Sequence, residues 1–131
     1  MLFHSLVPLK RLNFKMFGLK HAINGLVELI KNERNARFHL VSTAVVIYVG
    51  WKVGFEASEW LWISLAVAGV WVAELLNTSL ERITDLVSPE QSELAKKAKD
   101  YAAGAVLVMA IWAIIVFILV AVPRILMNLM L

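Results

Sequence analysis

Residues 60–85 read WLWISLAVAGVWVAELLNTSLERITD, and an acid at Glu74 interrupts their apolar run from Trp60 to Leu80. Asn77, Glu81 and Asp85 follow at helical spacing. At 100° per residue the four polar positions fall within about 80° of one another, so a helix lines them up on one face. The 21 residues from Trp60 to Leu80 span about 30 Å as a helix, enough to cross the hydrocarbon of a bilayer. A carboxyl group at that depth costs at least ~2.5 kcal/mol and usually faces a bundle interior or a polar cavity. The face therefore reads as a working site.

Composition agrees with a membrane chain. The 131 residues are 60% hydrophobic, and the mean hydropathy is +0.74, which leaves room for little beyond the spans. One domain over 1–131 is expected. With no cysteine, disulfides, thiolate metal sites and cysteine nucleophiles are excluded. Leu2 to Leu9 is short, holds His4 and Pro8 and lacks a preceding basic region, so a signal peptide is not expected.

The net charge of +3 is distributed by topology, which argues against a nucleic-acid partner. Seven of the thirteen Lys/Arg precede the first span: Lys10, Arg11, Lys15, Lys20, Lys31, Arg34 and Arg37. Arg82, Lys96, Lys97 and Lys99 lie between the second and third spans, and only Lys52 and Arg124 fall on the other side. By the positive-inside rule the N-terminus and the 82–100 loop are cytoplasmic and the C-terminus external.

The expected fold is all-α: an amphipathic surface helix over about 14–32, then spans over about 38–55, 60–80 and 101–122. Phe14, Phe17, Leu19, Ile23, Leu26, Leu29 and Ile30 alternate with Lys15, Lys20, Asn24 and Glu28 in the surface helix. Glu56 to Glu59 makes the external turn. Ser88 suits an N-cap, Pro89 the first helical position and Gln91 a capping box for the last helix. That helix is expected to stop at Pro123-Arg124. Ala102, Ala103, Gly104 and Ala105 permit close helix contact, and Gly50 with Gly54 forms a weak GxxxG spacing. Burying the polar face of the second span calls for other copies of the chain.

The expected cytoplasmic mouth gathers Glu28, Glu33, Glu81, Asp85 and Asp100 beside Lys96, Lys97 and Lys99. Such carboxylates suit Mg²⁺, which keeps phosphates and waters in its shell, and lysines balance phosphate charge. Glu74, deeper, suits proton abstraction from a hydroxyl that resides in lipid. Plainer readings stand beside these. Glu93 with Lys97 and Lys96 with Asp100 are i,i+4 helix pairs, Asp85 can pair with Arg82, and His39 reads as an interface histidine. Neither GxxxxGK[S/T] nor GxGxxG nor HExxH is present. A helical transporter or ion-binding subunit using Glu74 is the alternative to an enzyme, and an accessory scaffold a third reading.

Glu74-Leu75-Leu76-Asn77-Thr78-Ser79-Leu80-Glu81 with Asp85 resembles the E-x-x-N-T/S-A/S-I/L-E-x-x-x-D signature of prokaryotic diacylglycerol kinase and undecaprenol kinase. Lys99-Asp100, leading into Ala102-Ala103-Gly104-Ala105-Val106, resembles the segment opening that family's third span. Glu33-Arg34-Asn35-Ala36-Arg37-Phe38-His39 resembles its E-R-N-x-R-x-H segment, in the manner of the undecaprenol kinase branch. The likeness covers roughly residues 18 to 120.

The resemblance implies a homotrimeric inner-membrane lipid kinase with shared active sites, transferring the γ-phosphate of Mg-ATP to a lipid alcohol, undecaprenol first and diacylglycerol next. By position, Glu74 matches the general base and Asn77 its neighbour at the lipid hydroxyl, where Lys99 also belongs to the substrate set. Glu33 and Glu81 match metal ligands. Those two, with Asp85, Lys99, Asp100 and His21, match the nucleotide set. The chain departs from the family at His21, where a tyrosine is common, and at Ala103, where a serine is frequent. Phe14 stands where a basic residue is usual, with Arg11 and Lys15 nearby.

Overall fold

A computed structural model describes residues 7–90 and 92–130, with side chains from Gly18 onward. Among these residues the chain forms four helices and no strand: α1 Val7–Asn32, α2 Arg34–Val53, α3 Ala57–Val87 and α4 Glu93–Met130. α3 and α4 are long and apolar enough to cross a membrane. α2 has 20 residues, but Arg34, Arg37, His39, Ser42 and Thr43 keep it less apolar than either.

α1 begins earlier than the expected position 14 and carries exposed Leu19, Ile23, Leu26 and Val27. Apolar side chains left outward on a helix with Lys20 and Lys31 fit an interfacial surface. Glu33, in extended conformation, breaks α1 from α2. The guanidinium of Arg37 donates to the Lys31 carbonyl at 3.0 Å, filling one of the acceptors that a helix end leaves open. Ala36 is fully buried in this corner.

The Gly50/Gly54 spacing shapes a turn and is not a helix-pairing device. Gly54 takes φ 75° as the left-handed cap of α2, its N–H donating to the Gly50 carbonyl. A Cβ on Gly50 would stand 2.5–2.8 Å from ring atoms of Phe55 and Trp60, so those rings fold back onto bare backbone. Their centroids lie 5.4 Å apart, edge to face. Phe55, Ile63, Ala66, Val116 and Ala121 continue from here as the buried core, flanked by Val46, Val53, Val67 and Phe117. This apolar cluster lies at the Glu56 end of the bundle.

Two further helix boundaries differ from expectation. Ser88 closes α3, its N–H donating to the Thr84 carbonyl at 2.9 Å, so it does not cap α4. Ser92 does: its Oγ accepts from the Ala95 N–H at 3.1 Å, the N-cap to N3 pattern. Gln91, expected in the capping box, lies outside the described residues. At the other end α4 passes through Pro123 to Met130. Proline removes one helix hydrogen bond and usually ends or kinks a helix. Here Arg124 pairs with both Glu56 and Glu59, and the Asn128 amide donates to the Val53 carbonyl at 3.2 Å. These contacts hold the last turns of α4 against the ends of α2 and α3.

Candidate functional site

The face predicted on α3 exists, and it divides by depth. Glu74, Asn77 and Thr78 are the buried polar residues among those described, and Glu74 is only 2% exposed. Glu81 is half-buried and Asp85 exposed. The Asn77 amide donates to Glu81 Oε1 at 3.1 Å, an i,i+4 pair that the helical period makes available. Among the described residues Glu74 Oε2 and Asn77 Oδ1 have no hydrogen-bond partner. A buried acceptor left unpaired costs on the order of 1–3 kcal/mol, more for a charged group, so two of them side by side mark a place prepared for something else.

That place is a cavity of about 310 Å³, whose polar lining is Asn35, His39, Glu74, Asn77 and Glu81. Ala103, Val106 and Leu107 of α4 form part of its opposite wall. The small side chain at Ala103 opens this wall. His39, read from sequence as an interface histidine, instead faces Glu74, with Nε2 3.9 Å from Oε2. A spacing pattern on α2 alone does not reveal this, because the partner lies 35 residues along the chain. The Thr43 hydroxyl, one turn further on α2, donates to the His39 carbonyl at 2.7 Å. Its oxygen accepts from the Trp71 indole at 3.2 Å. An apolar cavity of about 190 Å³, lined in part by Val46, Val67 and Phe117, shares Phe38, His39 and Ala110 with the polar one.

A separate cavity of about 200 Å³ lies beyond, lined by Asp85, Ser88, Ala95, Lys96, Lys99 and Asp100. Lys99 pairs with Asp85 across the α3–α4 turn. Asp85 is thus not paired with Arg82, which reaches Glu28 of α1 at 2.9 Å. Lys97 keeps the helix pairing with Glu93, at 3.9 Å. The two polar cavities have no lining residue in common.

The expected residues thus form two groups. Glu74, Asn77 and Glu81 meet in the first cavity, and Asp85, Lys99 and Asp100 in the second. Glu33, half-buried at the α1–α2 corner, lines neither. Among the described residues no three His, Asp or Glu side chains converge as a preformed metal cage. His21 is exposed on α1 and lines neither cavity. The side chains of Arg11, Phe14 and Lys15 lie outside the described residues.

The sequence matches the model of the prokaryotic diacylglycerol kinase family over residues 20–121. It is similar to the undecaprenol kinase of Bacillus subtilis (strain 168), at 40% identity over 111 residues, 85% of this chain and 89% of that protein. A diacylglycerol kinase of Synechocystis sp. is 39% identical over 102 residues, 77% of this chain and 58% of that protein. A diacylglycerol kinase of Haemophilus influenzae is 29% identical over 102 residues, 72% of this chain and 86% of that protein. The matched region contains every residue of both polar cavities.

Proposed function

This chain belongs to the prokaryotic diacylglycerol kinase family, a family of lipid kinases, and from that premise we propose that it moves the γ-phosphate of ATP onto the hydroxyl of a membrane lipid alcohol. Undecaprenol is the favoured acceptor, in line with the similarity to the Bacillus subtilis enzyme, and diacylglycerol the next. The observation that carries this reading is the unpartnered, buried Glu74 Oε2 at a cavity on an otherwise apolar helix. In-line phosphoryl transfer asks little covalent help of the protein beyond positioning and removal of the hydroxyl proton. A lipid hydroxyl is tethered at membrane depth by its own tail, so the group that takes the proton belongs on a span. Glu74 is that group.

The nucleotide end of the reaction belongs to Glu81, Asp85, Lys99 and Asp100. The residues fit a hard divalent cation. Glu81 offers a half-buried carboxylate and Asn77 Oδ1 a buried oxygen with no partner among the described residues, with Glu33 of the α1–α2 corner as the second proposed carboxylate. Mg²⁺ needs few protein ligands because phosphates and waters complete its octahedron, so the lack of a three-residue cage is no obstacle. Bound there it would neutralise charge on the transferring phosphoryl group. Lys99 holds Asp85 and faces the second cavity, where its ammonium suits phosphate oxygens.

The two polar cavities are separate within one chain, and the His39 face of α2 is polar for a helix in hydrocarbon. Both facts support a homotrimer in which neighbouring copies cover α2 as a third span and complete each site. The charge distribution supports a bacterial inner-membrane location, with α1 on the cytoplasmic surface and the C-terminus outside.

The test is direct. Purified protein in nanodiscs, given labelled ATP, Mg²⁺ and a panel of lipid alcohols, is expected to phosphorylate undecaprenol above diacylglycerol. Labelled phosphate transferred to no lipid, with proton or cation flux through proteoliposomes instead, would overturn the reading.

A further inference from the structure

His39 has no role in the chemistry described so far, yet it stands where that chemistry needs a second contact. Its Nε2 is 3.9 Å from Glu74 Oε2, too far for a hydrogen bond between them and the right width for one atom to sit between them. An oxygen placed about 2.8 Å from both atoms would subtend about 90° at itself, within reach of the two directions a hydroxyl uses to donate and to accept. Glu74 Oε2 is unpartnered, and both side chains line the polar cavity. His39 alone of the two also lines the adjoining apolar cavity, so it marks the junction where a tail would give way to a head group.

Resting on the lipid-kinase reading, we infer that His39 is a catalytic residue that donates its Nε2–H to the oxygen of the hydroxyl whose proton Glu74 accepts. The hydroxyl is then held at two points. Its O–H proton passes to Glu74 Oε2, its oxygen forms the bond to the γ-phosphorus, and the bond from that phosphorus to the β–γ bridging oxygen breaks to leave ADP. His39 keeps its proton throughout. A carboxylate alone fixes one direction of the hydroxyl and leaves it free to turn about that bond; the imidazole removes this freedom and directs a lone pair toward phosphorus.

The fold supports the imidazole as a contact. Trp71 lies three residues before Glu74 on α3, and Thr43 four residues after His39 on α2, and the Trp71 indole meets the Thr43 hydroxyl at 3.2 Å. The His39–Glu74 and Thr43–Trp71 approaches are two consecutive rungs between the same helices. Thr43 also binds the His39 carbonyl, so one hydroxyl ties the backbone that carries the imidazole to the helix that carries the carboxylate.

The test uses full-length protein in nanodiscs and three variants, His39→Leu, His39→Gln and Glu74→Gln, each checked for assembly by native mass spectrometry. Turnover is read with undecaprenol, and competitive inhibition with its methyl ether and with the corresponding hydrocarbon. An ether oxygen accepts from His39 but has no proton for Glu74. Wild type and Glu74→Gln are expected to bind the ether about fivefold or more tightly over the hydrocarbon, the worth of one hydrogen bond. His39→Leu should lose that preference and at least tenfold in kcat/KM for the alcohol, with KM for ATP within twofold. His39→Gln, still a donor, should recover part of both. An intact preference in His39→Leu, or equal damage in the Gln and Leu variants, would assign His39 to packing and overturn the inference. A wild-type protein that phosphorylates no lipid alcohol overturns the underlying reading instead.

Discussion

Asn77 gives its amide to Glu81 Oε1 at 3.1 Å and leaves its own Oδ1 without a partner. One turn of α3 therefore joins a buried half-site to a more exposed one. The amide fixes the more exposed carboxylate, while the remaining oxygen stays available at the cavity. Glu74 lies seven residues before Glu81, about 10 Å along the helix axis, and has no comparable hydrogen bond on Oε2.

That division predicts the effect of Glu74→Gln. The amide keeps the size of the side chain but cannot take up a proton as a carboxylate does. Turnover is expected to fall at least ~100-fold, the lower range for loss of a general base, while ATP and lipid still bind and the assembly survives. Stopped-flow or steady-state kinetics beside binding isotherms check this. Near-normal turnover would remove the general-base role.

Glu33→Gln and Glu81→Gln should act on the metal. At limiting Mg²⁺ each is expected to lose about 10-fold or more in turnover, the scale on which even groups supporting a metal site matter, with lipid binding little changed. Titrating Mg²⁺ against activity makes the measurement. Wild-type rates for both variants at limiting Mg²⁺ would exclude these carboxylates as ligands.

Assembly gives a third expectation. Native mass spectrometry of active protein in mild detergent or nanodiscs should show a trimer. Mixing catalytically dead subunits, one altered at Glu74 and one at Asp85, should restore part of the activity if each site draws on two chains. Monomer alone in an active sample would defeat the shared-site arrangement.

The Arg124 clamp predicts a pH dependence away from the site. The hydrogen bond from Arg124, helped by the Glu56 N–H, holds the Glu59 carboxyl below its ordinary value of 4.5. A carboxyl lowered by folding stabilises the folded state above its unfolded value, and that contribution disappears as pH falls through the lowered folded value. Thermal melts should therefore drop as pH falls below about 4.5 in wild type. Arg124→Leu should melt lower at neutral pH and show a shallower acid decline. A variant with the wild-type acid profile would detach Glu59 from this dependence.

What could be read from sequence follows the reach of each signal. The alignment of Glu74, Asn77, Glu81 and Asp85 depends only on the helical period, so residues 60–85 carried it complete. The end of α4 did not follow from Pro123, because its extension depends on Arg124 meeting a glutamate 65 residues away. Ser88 and Ser92 are both plausible caps in isolation; the last hydrogen bond of α3 decides between them. His39 was legible as a residue but not as a neighbour of Glu74, since nothing local fixes which face of α2 meets α3. The Gly50 spacing likewise acquires its meaning from Phe55 and Trp60 folding back onto it.

The core of Phe55, Ile63, Ala66, Val116 and Ala121 sits at the Glu56 end of the bundle, and none of its members lines the Glu74 cavity. That part of the packing is thus indifferent to what lines the cavity walls. Phe38, Ala103, Val106 and Leu107 can change in size with little disturbance to that core, since core substitutions are costly chiefly where neighbours cannot relax. Such a molecule should tolerate substitution at one pole more readily than at the other. Under the proposed function, a directed search for altered lipid specificity should begin at these four positions.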